Sequence, residues 1–237
     1  PIHWPPEDLH TRRDYDQETC TSAGNGDPAS RICFLAMIEA LDFEIGNFLD
    51  HLDDLGELED TLIFYVGDNG TSNGQRDPEV FQARTVKGSL YEGGVAVPFV
   101  VTGAGVTRVG EREDRLVNVT DVFATIGEIA GADFGGRIYD SISIAGYLTS
   151  EDGLDRAYNY SEYVVPEGLD LSRTPLGNSS QGWSVRNQDR LYMYDLATNS
   201  ENLYQINDQD FVLVNVTEAE PGTLRELRDV ALSIRGQ

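Results

Sequence analysis

Residues 61–98 read TLIFYVGDNGTSNGQRDPEVFQARTVKGSLYEGGVAVP. Leu62, Ile63, Phe64, Tyr65 and Val66 form an uninterrupted apolar run with an acidic turn before it and glycines after it. A run without polar alternation is what a strand covered on both faces, as in a parallel sheet, requires. It stops at Gly67-Asp68-Asn69-Gly70, so a carboxylate and a carboxamide stand side by side where a parallel strand leaves its sheet. Open α/β sheets place their ligands at that edge. Asp68 and Asn69 are hard oxygen donors of the kind calcium and magnesium accept, and the flanking glycines permit a sharp turn and a close approach to a ligand. Taken alone, Asp-Asn-Gly is ordinary turn chemistry.

Downstream, Lys87-Gly88-Ser89-Leu90-Tyr91-Glu92-Gly93-Gly94 leads into the strand-like Val95-Ala96-Val97-Pro98-Phe99-Val100-Val101. A DNG turn, a KGxLYEGG segment and a VPxxV strand in this order resemble the signature of the sulfatase family. The likeness runs outward. Residues 34–56 resemble the family's helix ahead of the DNG strand, and residues 116–131, LVNVTDVFATIGEIAG, resemble its TDxxxTxxxxAG helix. Gly67 departs from the serine or threonine more usual there, at a position that carries no ligand. The resemblance covers nearly the whole chain. It implies an alkaline-phosphatase-like α/β fold, a mostly parallel sheet flanked by helices, with a smaller C-terminal antiparallel sheet plus helix. Residues 1–150 then belong to the catalytic α/β domain and residues 151–237 to the smaller subdomain, with the boundary in the polar, acidic stretch 149–155.

The resemblance also implies a calcium ion, in preference to magnesium, held by Asp68 and Asn69, with Lys87 as the catalytic cation that binds the sulfate group. Cleaving a sulfate ester requires negative charge on oxygen to be stabilised, and a divalent cation beside an ammonium does this. Lys87 is the only lysine among 17 lysines and arginines, a compact cation kept where the motif wants one. By itself it reads as a loop cation paired with one of 41 acids. In the company of Asp68-Asn69 and the YEGG block it reads as functional, and Glu92 as structural.

In the family the nucleophile is a hydrated formylglycine formed from cysteine or serine in a C/S-x-P/A-x-R motif. Cys20 is followed by Thr21-Ser22-Ala23-Gly24 and Cys33 by Phe34-Leu35-Ala36-Met37, so neither fits. The formylglycine and the remaining metal ligands are expected in an N-terminal half of the same protein, which becomes this chain's partner. The substrate class is a sulfate ester. Two other readings stay open: a phosphonate or phosphate ester hydrolase of the same superfamily, and a non-catalytic, calcium-stabilised sulfatase-like module.

The 237 residues carry a formal net charge of -24 with a pI near 4.2, which opposes broad contact with nucleic acid or an anionic membrane. No apolar run approaches the roughly 20 residues that cross a bilayer, and no leader is visible at the start. A periplasmic or secreted location is expected. The two cysteines lack metal-ligand spacing, and a buried thiol at Cys33 with an exposed one at Cys20 is expected in preference to a disulfide.

The opening PIHWPP with Glu7-Asp8-Leu9 resembles the family's PLxxPPEDL approach segment, whose active-site histidine either lies just before it or is His3. His10 and His51 read as solvated. Asp27 and Pro28 predict a helix start. Phe34, Ile38, Leu41, Ile45, Phe48, Leu52 and Leu55 then form one apolar stripe read as core, closed by Gly56. Thr120 is expected to cap a second helix with Val122, Ile126 and Ile129 buried and Gly131 just past its end. Short strands are predicted within residues 156–164, 182–186 and 189–196, with a closing helix over residues 224–234. Residues 191–194 lack the lysine of the family's YKL tail, which puts any tail contact with substrate in doubt. Asn69, Asn118, Asn159, Asn178 and Asn215 begin Asn-x-Ser/Thr triplets, and a glycan on Asn69 would abolish the metal turn.

Overall fold

The computed structural model describes residues 4–12, 16–23, 27–136, 139–150, 153, 155–163, 182–207 and 213–236. In chain order its elements are α1 (Gln17–Ser22), α2 (Pro28–Asp54), β1 (Leu62–Val66), the helical turn α3 (Glu92–Val95), β2 (Phe99–Gly103), α4 (Asp121–Ile129), α5 (Ala145–Thr149), β3 (Asn159–Tyr163), β4 (Gly182–Arg186), β5 (Arg190–Asp195), β6 (Ser200–Gln205), β7 (Val214–Asn215) and α6 (Pro221–Arg235). His3 and Asn178 lie outside the described residues.

The ends of α2 follow from local chemistry. Asp27 accepts the Ala29 N–H at 2.9 Å, and Pro28 fills a first-turn position where no N–H is needed. At the other end Gly56 takes φ +73°, its N–H reaching the Asp53 carbonyl at 2.8 Å while the Glu57 N–H reaches Leu52 at 2.9 Å. This paired closure satisfies two carbonyls that the helix would otherwise leave open.

Which face of α2 is buried differs from the expectation. Ala29, Cys33, Ala36 and Ala40 are buried on one side, where α1 and residues 7–9 and 58–60 close against the helix. The large stripe lies roughly 130° around on a wheel of 3.6 residues per turn, and Ile38, Leu41 and Phe48 are 42%, 44% and 54% exposed. Small residues permit the close approach, so they decide the contact. The cysteine expectation is corrected as well: Cys20 and Cys33 are both buried and joined in a disulfide. Packing of α1 across α2 brings their Cα atoms to 5.8 Å, within bridging range. His10 is buried, not solvated, because Trp4 packs edge-on against it at 4.5 Å and its Nδ1 accepts the Arg12 N–H at 3.2 Å. His51 is exposed, as expected.

β1 pairs with β2 in antiparallel register, Leu62 opposite Gly103 and Val66 opposite Phe99. The parallel neighbour expected for β1 is absent among the described residues. Nor is β1 covered on both faces: none of its five residues is buried and Tyr65 is 39% exposed, so an apolar run fixes neither the cover a strand finds nor the direction of its neighbour.

α4 also buries a different face. Asp121, Ala124 and Thr125 turn inward, while Ile126 and Ile129 are half exposed. Thr120 makes no side-chain cap. Instead Asn118 Oδ1 accepts the Thr120 N–H at 3.1 Å, and Asp121 Oδ2 accepts the Asn118 N–H at 2.8 Å. Buried Asp121 also takes the Ile142 N–H at 2.8 Å and pairs with Arg156, and these donors pull it, with its helical neighbours, into the interior.

The C-terminal region is a meander in the order β3-β4-β5-β6-β7, every pair antiparallel. Tyr160, Val185, Tyr192 and Leu203 stand opposite one another across four strands and so share one face. Leu227 and Ala231 of α6, four residues apart, close over that row, and Val185, Leu203, Leu227 and Ala231 are each 0% exposed.

Candidate active site

The site is built where β1 ends. Gly67 N–H donates to the Pro98 carbonyl at 2.9 Å, and Gly70 N–H donates to Gly94 at 3.1 Å. The DNG turn is thereby laid against the YEGG turn, backbone on backbone. A Cβ placed on Gly70 would sit 1.9 Å from the Gly93 carbonyl oxygen, and one on Gly94 would sit 2.2 Å from the Ser89 oxygen. Glycine is required at both because nothing larger fits the approach.

One step further along, the Lys87 N–H donates to the Thr71 carbonyl at 3.0 Å. Thr71 is two residues past Asn69, so the backbone ties Lys87 to the turn carrying Asp68 and Asn69. All three side chains are exposed. Asn69 Nδ2 donates to Asp68 Oδ2 at 2.7 Å, holding the two donors side by side. Val86, immediately before Lys87, is 1% exposed and anchors the loop from beneath.

A groove of about 1120 Å³ runs from Asp68 and Asn69 past the 106–119 segment to the C-terminal sheet. Lys87 does not line it. The described residues therefore do not enclose a pocket that all three side chains share. Along the groove Glu113 bridges Arg108 and Arg115, and Arg115 stacks 3.9 Å over the Tyr147 ring. The Arg115 guanidinium, followed by that of Arg108, holds the Glu113 carboxyl down to about 2.

The YEGG turn also meets the C-terminal sheet. Glu92, 5% exposed, pairs with Arg186 of β4 at 3.1 Å. The Tyr91 and Tyr204 rings meet edge-on at 5.8 Å with their hydroxyls 3.4 Å apart, and burial pushes the Tyr204 hydroxyl up. Reading the sequence missed Arg186 and Tyr204, since strand periodicity tells which residues share a face but not which strand lies opposite. It missed Asp121 for a similar reason, as the donors that bury it come from residues 118, 142 and 156. Asn118 and Asn159 are engaged in this packing, Asn159 Nδ2 donating to the Val117 carbonyl at 3.1 Å.

Known proteins resemble this chain. The family profile described as Sulfatase matches residues 2–132. A protein named Sulfatase from Formosa agariphila is 26% identical over 216 residues, 86% of this chain and 38% of that protein. A solved structure titled a 2-O GAG sulfatase superposes with a TM-score of 0.71 at 17% identity, over 99% of this chain and 52% of the other. A phosphonate monoester hydrolase from Silicibacter pomeroyi gives 0.70 at 23% identity, over 87% and 41%. These structures share the alkaline-phosphatase-like α/β fold. The chain spans about four-tenths to one-half of the length of these proteins.

Proposed function

The chain belongs to the sulfatase family, and on that premise we propose that it supplies the metal turn and a sulfate contact of a sulfuric ester hydrolase. The observation that carries this reading is the backbone lock between the two motifs, Gly70 to Gly94 and Lys87 to Thr71. Two separate motifs are joined backbone to backbone.

Asp68 and Asn69 fit a calcium ion by chemistry: a carboxylate and a carboxamide, exposed at a strand end, are two of the roughly six to eight oxygens calcium takes. The described residues hold no group of three or more His, Cys, Asp or Glu that completes the shell. We assign the remaining ligands and the formylglycine nucleophile to the N-terminal half of the protein. When bound, the cation would supply charge stabilisation at the sulfate oxygens. Lys87 does the same with its ammonium. Negative charge develops on the ester oxygen as its bond to sulfur breaks, so a cation that reaches it contributes to turnover more than to substrate binding. We place a subdomain boundary within residues 149–155, separating 1–150 from 151–237. The Cys20–Cys33 disulfide supports a periplasmic or secreted location, where such bonds persist. No described helix is long and apolar enough to cross a membrane.

The likeness to a phosphonate monoester hydrolase supports a second reading, phosphonate or phosphate ester hydrolysis at the same turn. Turnover of an aryl sulfate, an aryl phosphate and an aryl phosphonate by the complete protein separates the two. The sulfate is expected to be preferred. Lys87→Ala should cost about a hundredfold or more in turnover with calcium dependence unchanged. Asp68→Ala should need more calcium and recover part of its activity when given it. Wild-type turnover in Lys87→Ala, or wild-type calcium dependence in Asp68→Ala, would make both segments structural turns. No turnover of any ester would leave a non-catalytic module.

A further inference from the structure

The second face of the C-terminal sheet carries a row that the core does not use. Asn159, Arg186, Leu191 and Tyr204 stand opposite one another across β3, β4, β5 and β6. Leu191, inside the row, is 1% exposed. The other three each reach out of the sheet: Asn159 to the Val117 carbonyl, Arg186 to Glu92, and Tyr204 to Tyr91. Two of these partners are adjacent residues, Tyr91 at the end of the loop that carries Lys87 and Glu92 at the start of α3.

Residues 81–91, which include Lys87, contain no helix or strand, so their shape is set from outside. The DNG turn holds one side through Thr71 and Gly70. On the other side, among the described residues, this sheet meets Tyr91 and Glu92, and its contribution is directional. The buried Glu92 carboxylate needs a cation in a fixed place, and Arg186 provides it from a strand whose preceding residue, Val185, is wholly buried. Tyr204, on the strand after next, fixes the Tyr91 ring. The row therefore resists both rotation and translation of the loop.

We infer that Arg186 and Tyr204 are positioning residues for Lys87: the C-terminal sheet serves the reaction without touching substrate, by clamping Tyr91 and Glu92. This rests on the role proposed for Lys87. A shift of about 1 Å in a group that contacts the transition state is enough to cost up to roughly a hundredfold, so the clamp acts on turnover.

A double-mutant cycle in the complete protein tests it. Arg186→Ala is expected to lower kcat about tenfold or more with KM and calcium dependence little changed, and Tyr204→Phe, which keeps the ring and the fold, to lower it severalfold. In a Lys87→Ala background both should cost less than about twofold, because the group being positioned is gone. Arg186→Lys should recover part of the loss. If the costs of Arg186→Ala and Tyr204→Phe are the same with and without Lys87, the sheet is merely structural and the inference fails while the proposed function stands. If Lys87→Ala alone keeps wild-type turnover, the proposed function itself fails. Should Arg186→Ala not fold, the cycle with Tyr204→Phe decides, and a Tyr204→Phe enzyme with wild-type kcat overturns the clamp.

Discussion

The C-terminal sheet with α6 and the larger region before it both carry periodic apolar residues, yet they resolve that pattern in different ways. In the first, Val185, Tyr192 and Leu203 find Leu227 and Ala231 within the chain, and the core closes. In the second, Ile38, Leu41 and Phe48 of α2 and Ile126 and Ile129 of α4 stay at least two-fifths exposed, while alanines, a disulfide and a buried aspartate make those helices' contacts and Leu116, Ile144, Tyr147 and Leu148 are buried elsewhere. Periodicity announces a face that wants cover. It does not say whether the cover lies in the same chain.

The two tryptophans report on the two regions separately, Trp4 beside His10 and Trp183 on β4 against Tyr194. Leu203→Ala should produce the largest change, about 2–5 kcal/mol for a fully buried leucine, seen in a denaturant titration followed in a Trp4→Phe background. A cost below about 1 kcal/mol would show that the closed core is closed in name only. The disulfide comes next. Reducing it, or making Cys20→Ser with Cys33→Ser, frees a loop of sequence separation 13 and should cost about 3 kcal/mol. That loss should appear in the Trp4 signal and leave the Trp183 transition in place. Loss of both together would mean that the two regions melt as one body, and the contrast between them would vanish.

What could be read from the chain itself follows the same division. The bounds of β4 at Gly182 and Arg186 and the start of α2 at Asp27-Pro28 were legible, because alternation and capping are encoded within a few residues. The DNG and YEGG turns were legible as motifs, and the structure lays them against each other. Hidden were the facts that join distant segments: the antiparallel register of β1 on β2, the meeting of Cys20 and Cys33, the burial of Asp121 under donors from three segments, and the row that brings Arg186 to Glu92. Each depends on which element packs opposite. A period of two or 3.6 carries no such information.

Acid should reveal a smaller difference. Glu113 is held down to about 2 by Arg115 and Arg108, and Glu201 of β6 is held below the ordinary carboxylate range by Arg228. A depressed carboxylate favours the folded state above its unfolded pKa, and that contribution is lost as pH falls through the folded value. As pH falls below about 4.5 both regions should therefore weaken, the larger one down to about pH 2. Glu113→Gln should flatten the loss in the larger region alone, and Glu201→Gln that of the sheet. Unfolding midpoints measured at pH 6 and pH 3 for both variants check this, and identical pH profiles for wild type and Glu113→Gln would remove the Arg108–Glu113–Arg115 bridge from the account.

The smallest change expected in this chain is the one that decides what its open face means. Phe48 is 54% exposed, so Phe48→Ala in the chain alone should shift the unfolding free energy by no more than about 0.5 kcal/mol. The same substitution should reduce self-association in sedimentation velocity, because a contiguous apolar face on a free chain is where copies stick. The complete protein should behave otherwise. If the N-terminal half covers α2, Phe48 becomes a buried aromatic there, and its truncation should cost about 3–5 kcal/mol. A neutral Phe48→Ala in both settings would identify the stripe as true solvent surface. The unequal closure of the two regions would then be a property of the fold itself, and the N-terminal half would have to meet this chain through some other surface.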